Sequence, residues 1–124
     1  LVQSNVDDLI EKTRLVSGVK VVAARVEGLD RMQMRSLADL LRDKLQSGVV
    51  LLGSVDDGNI ALILAITKDL AGEKLHAGKL VGAIAQEVGG RGGGRHDLAE
   101  AGGKDSGALP TALEKVYDLI EQMI

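Results

Sequence analysis

Two apolar runs, Val49 to Val55 (VVLLGSV) and Ile60 to Ile66 (IALILAI), constrain the fold of this chain more than any other stretch. The residues between them, Asp56-Asp57-Gly58-Asn59, are turn formers, so the pair reads as a β-hairpin. A strand with one face in water alternates apolar and polar side chains, whereas runs that do not alternate need cover on both faces. The hairpin is therefore expected at the centre of a sheet with helices packed against it.

The flanking sequence supplies those helices. Asp30 is an N-cap for a segment in which Met34, Leu37, Leu41 and Leu45 recur at helical spacing before a stop at Gly48. Ser4 or Asn5 caps a short helix through Ile10. Downstream, Ala77, Leu80, Val81, Ile84, Ala85 and Val88 form one apolar face, while Gly78 and Gly82 share a narrow side. Two glycines cost helix propensity, which close packing against another backbone explains. Pro110 fits the first turn of a terminal helix with Leu113, Val116, Ile120 and Met123 facing inward. Thr13 to Val16 and Val19 to Val26 flank a Ser17-Gly18 turn, and Asp97 to Gly102 reads as a last short strand. The predicted class is α/β: a mixed sheet of four to five strands with hairpins, covered by about three helices and carrying a glycine-rich loop. Residues 1–12 are expected to be the end of a preceding helix or a linker, and 13–124 a single domain. With Leu1 first and no initiator Met, the chain looks like a piece of something longer.

Function points to Gly89 through Gly103 (GGRGGGRHDLAEAGG), which holds seven of the 16 glycines. Glycine can take positive φ and turn successive backbone N–H groups toward one point, a concavity suited to an anion. Arg91, Arg95 and Lys104 add positive charge, and no acidic side chain lies between Gly89 and His96. Phosphate is the expected guest. The alternative is a glycine-rich turn that lets a helix end and a strand begin in little space. A second basic feature lies on the Asp30-capped helix, where Arg31, Arg35 and Arg42 fall within about 40° of one another at helical pitch. That stripe suits a phosphate backbone, or is a solvated face paired with neighbours such as Asp39.

Several chemistries lose ground on the same residues. The glycine spacing matches neither the dinucleotide fingerprint nor a P-loop. Without cysteine there are no thiolate ligands, and His76 and His96 stand 20 positions apart with no HxxxH motif or carboxylate cluster, so no metal site is expected. His96-Asp97 lacks the further ligands a metal motif needs, and Ser106 reads as a turn residue. No catalytic set emerges. A net charge of −3 confines nucleic-acid binding to a local patch, and Tyr117, the single aromatic, leaves no stacking platforms. Backbone and shape recognition is the mode that remains. The absence of cysteine, a secretory signal or an apolar run of membrane length makes the cytoplasm the expected compartment, with no membrane partner.

The glycine run, followed by Ala108-Leu109-Pro110 and a terminal helix, resembles the C-terminal, DHH-associated type of domain of bacterial alanyl-tRNA synthetase. Asp8-Leu9-Ile10, Gly18-Val19-Lys20-Val21, the helix around Arg35, Thr67-Lys68-Asp69, Ala77-Gly78 and Ala85-Gln86-Glu87-Val88 are similar to that family as well. The resemblance implies a non-catalytic module that recognises the outer, elbow region of tRNA and helps the aminoacylation and editing domains of the parent chain act on one tRNA. ATP and metal are then expected only in the rest of that parent, and the fragment carries no cofactor. Gly90, Gly92, Gly93 and Gly94 match the family's glycine core, and Ala101, Gly102 and Gly103 its closing element. Many members have proline where His96 stands, so His96 takes no family role. Two further readings are the accessory domain of a DHH-type phosphoesterase and the tRNA-binding tail of an editing protein. Related phosphoesterase domains read GGGH, and Arg95 stands where that histidine would be, which favours the synthetase branch.

Overall fold

A computed structural model describes residues 2–72 and 75–123. The elements are α1 (Val2–Glu11), β1 (Arg14–Val16), β2 (Val19–Arg25), α2 (Arg31–Leu45), β3 (Gly48–Asp56), β4 (Asn59–Ile66), α3 (Ala77–Glu87), β5 (Arg91–Gly94), β6 (Leu98–Gly103), a 3-10 turn (Ser106–Ala108) and α4 (Leu109–Met123). The strands form one six-stranded sheet in the order β1-β2-β3-β4-β6-β5. Among the described strands only β2 and β3 pair in parallel, joined by the α2 crossover, and the other strand pairs are antiparallel.

The β3–β4 hairpin is central, and its side chains divide between two cores. Val49 and Leu51 of β3 join Leu62, Leu64 and Ile66 of β4 against α3 and α4. Val50 and Leu52 join Ile63 and Ala65 against α1 and α2. Burial on both faces is why neither run alternates. The connection between them is tighter than the four turn formers suggest. Asp56 pairs with Asn59, leaving Asp57 and Gly58, both at positive φ (52° and 79°), as a two-residue turn whose twist matches its strands.

Asp30 does cap α2, and the cap is reciprocal. Its carboxylate accepts the Gln33 N–H at 2.8 Å while the Gln33 side chain accepts the Asp30 N–H at 2.9 Å. Pro110 lies in the first turn of α4, whose Val116 and Ile120 are fully buried.

The sheet has one strand more than expected, with six strands beside the four helices among the described residues. The extra strand is the glycine run itself. Arg91–Gly94 is not a loop but edge strand β5, paired with β6 in the register Arg91↔Gly102, Gly92↔Ala101, Gly93↔Glu100 and Gly94↔Ala99. Glycine is a poor strand former, so periodicity and propensity give no sign of it; tertiary packing decides. His76 sits at the N-cap of α3, where its Nδ1 accepts the Lys79 N–H.

Candidate nucleic-acid interface

The site begins where α3 stops. Gly89, at φ 66°, ends the helix, its N–H donating to the Gln86 carbonyl while the Gly90 N–H donates to that of Ala85. These are the paired bonds of a Schellman cap. The chain then doubles back as β5, turns through His96-Asp97 with the Arg95 N–H donating to the Leu98 carbonyl at 3.0 Å, and returns as β6.

Helix α3 lies close along β5. A Cβ on Gly78 would stand 2.6 Å from the Gly94 carbonyl oxygen, and one on Gly82 would stand 3.4 Å from that of Gly92. Both helix glycines therefore meet another backbone, as their spacing suggests. The first N–H groups of α3 are also taken, those of Ala77 and Gly78 donating to the carbonyls of His96 and Arg95. The helix covers the edge that β5 would otherwise expose.

The strand glycines fall into two kinds. A Cβ on Gly90 would collide with the Gly102 carbonyl, one on Gly92 would lie 2.5 Å from Ala101 Cα, and one on Gly94 2.8 Å from Ala99 Cα. Packing demands those three. Gly93 is different, because a Cβ there meets nothing within 4 Å and its φ is not positive. The expected fan of positive-φ glycines is thus replaced by an extended strand, with positive φ in this run only at Gly89 and Gly94.

Strand alternation places Arg91 and Gly93 on one face of the sheet together with their partners Gly102 and Glu100. Leu98, two residues before Glu100, belongs to the α1/α2 core, so this is the face α2 borders. The first turn of α2 reaches it, with Arg31 Nε 3.9 Å from Glu100 Oε1. Arg35 follows one turn later and is exposed. The third arginine of the stripe has a structural role. Arg42 Nη1 donates to the Asp97 carbonyl at 3.1 Å and Nη2 to Asp39 at 2.7 Å, tying α2 to the β5–β6 turn.

Arg91 and Lys104 line one open depression of about 450 Å³ with Asn59, Ile60, Gly89, Gly90, Gly102 and Gly103. Two cations thus border a floor of bare backbone. Arg95 sits at the far end of β5, its exposed side chain 3.5 Å from Asp97, which partly offsets its charge. The structure therefore brings Arg91, Gly90 and Lys104 together, puts Gly93 on the same sheet face as Arg91 with Arg31 at its border, turns Gly92 and Gly94 toward β6, and leaves Arg95 at the hairpin tip. Sequence reasoning missed Glu100 and Asn59, which depend on strand register and carry no local signal.

The family model for the DHHA1 domain matches residues 18–122. The chain belongs to the DHHA1 domain family. Alanine–tRNA ligase of Solibacter usitatus is 56% identical to this DHHA1 domain over 124 residues, the whole of the chain and 14% of the ligase. That of Pelotomaculum thermopropionicum is 47% identical over the same length. Among solved structures, the C-Ala domain of Aquifex aeolicus alanyl-tRNA synthetase superposes with a TM-score of 0.82 at 26% identity, covering 89% of this chain and 98% of that one. An exopolyphosphatase-related protein from Bacteroides fragilis shares the fold alone, with a TM-score of 0.52 at 12% identity over 97% of this chain and 36% of that one. The DHHA1 domain is thus homologous to an accessory domain of alanine–tRNA ligases, as the glycine run and its neighbours imply.

Proposed function

We propose that this DHHA1 domain is the tRNA-binding accessory module of an alanine–tRNA ligase. It holds the outer elbow of cytoplasmic tRNA through the sugar–phosphate backbone and so helps the aminoacylation and editing domains of the parent chain work on one tRNA. The observation that carries this reading is the pairing of Arg91 and Lys104 around a glycine floor, with Arg31 and Arg35 on the bordering helix. The N–H groups of Gly89, Gly90 and Lys104 are already paired within the domain, so what the bare backbone offers is room for a phosphate to approach both cations closely, which side chains on that floor would prevent. The homology to alanine–tRNA ligases supplies the nucleic acid. Chemistry on the tRNA, with its ATP and metal, belongs to the rest of the parent.

Titration of the 124-residue chain with tRNA tests the proposal. Binding is expected in the micromolar range and is weakened when a minihelix lacking the D loop replaces the whole tRNA. Equal binding of the minihelix defeats elbow recognition. Alanylation or deacylation by the purified chain above a matched blank defeats the non-catalytic part.

A further inference from the structure

Glu100 is out of place on this surface. It lies in the interior of β6, where glutamate is disfavoured, paired with Ile63 on one side and Gly93 on the other. Its side chain is 31% exposed, and its ion pair with Arg31, at 3.9 Å, is too long for a hydrogen bond. Among the described residues no protein group donates a hydrogen bond to its carboxylate, which is left open to solvent. Its neighbours leave room for a guest, since Gly93 has open space where a Cβ would stand and a Cβ on Gly102 would touch only the Ile60 carbonyl, at 3.4 Å. Arg31 stands 3.9 Å from the carboxylate, and Arg91 lies on the same sheet face, two positions from Gly93 along β5. A carboxylate beside these cations repels phosphate, so it favours a polyanion only where the ligand brings a hydrogen-bond donor to it. RNA offers two kinds, the ribose 2′-hydroxyl and the N–H groups of base edges.

We infer that Glu100 is a specificity-determining residue which accepts a hydrogen bond from an O–H or N–H donor of the bound RNA, the open backbone of Gly93 and Gly102 admitting the nucleotide that carries it. The inference rests on the tRNA-binding reading above. It gives an interface built from phosphate contacts one group that discriminates among polyanions.

The test titrates the unsubstituted 124-residue chain, Glu100→Ala, Glu100→Gln and Arg91→Ala with an alanine tRNA transcript and with its all-deoxy copy, alongside thermal melts. Loss of a hydrogen bond to a charged acceptor is expected to weaken tRNA binding about tenfold in Glu100→Ala. Glu100→Gln keeps an acceptor oxygen and loses less, and it decides the matter if the alanine variant folds poorly. A parent preference for RNA that Glu100→Ala erases identifies the 2′-hydroxyl. Equal weakening on both nucleic acids identifies a base N–H. Removing a charge that merely repels phosphate has the opposite sign, so tRNA affinity unchanged or raised in both Glu100 variants overturns the inference. If Arg91→Ala still loses affinity in that case, the tRNA-binding reading survives alone; an unsubstituted chain that binds no tRNA ends both.

Discussion

Gly92 and Gly93 are adjacent and identical, yet only one is required by packing. A Cβ on Gly92 lands against Ala101, so Gly92→Ala should cost about 1–3 kcal/mol, read as a lowered Tm. Gly93→Ala faces open space at an ordinary φ and should leave stability within about 1 kcal/mol of the unsubstituted chain or slightly raise it, read as an unchanged or higher Tm. If Gly93→Val keeps its Tm while weakening tRNA binding, the bare backbone there serves the ligand and not the fold. The cations divide in a similar way. Arg91→Ala and Lys104→Ala should weaken tRNA binding and each reduce the slope of log K against log salt by about one, with little effect on folding. Arg95→Ala should lose less, because Asp97 already lies 3.5 Å from its guanidinium. Titrations at several salt concentrations check all three.

At the scale of elements, α2 is both a core helix and one border of the proposed interface, and two contacts hold it in that position. The reciprocal cap at Asp30 fixes its start, so Asp30→Ala should lower stability by about 1 kcal/mol. Arg42 fixes its far end to the β5–β6 turn, and Arg42→Ala should weaken tRNA binding indirectly, by loosening the hairpin, without the loss of salt slope expected of a phosphate contact. A further link joins the loop after α2 to the loop after β4, where the Ser47 hydroxyl donates to Asp69 at 2.5 Å. That bond, with a second from Thr67, holds the Asp69 carboxyl below the usual carboxylate range. Because the folded value is depressed, its stabilisation is present above about pH 4 and is lost as pH falls through the folded value. Tm measured against pH should therefore decline less steeply on the acid side in Ser47→Ala than in the parent.

Over the whole molecule, the sheet bears helices on both faces at its centre, while the β6–β5 end is bordered by α2 and backed by α3. About three to five charges engaged there predict a salt slope of roughly −2 to −5, and a flat dependence would assign binding to base or apolar contacts. The centre is also where stability resides: Leu51→Ala, at a fully buried position of β3, should cost about 2–5 kcal/mol by denaturant melt. The sequence alone determined this central architecture, because non-alternating runs, a capped helix and turn pairs such as Ser17-Gly18 act through neighbours a few residues away. It also marked Gly78 and Gly82 as backbone contacts, and it singled out the glycine run from which the proposed RNA contacts are drawn. Only the tertiary structure decided that this run is strand β5. Its geometry comes from β6 and α3 pressing on it, while its own residues have the weakest local preference of any. Register decided the rest. Glu100 faces Gly93, Arg91 shares a groove with Lys104, and Arg42 becomes an anchor, all through pairings between segments far apart in the chain, on which local periodicity carries no information.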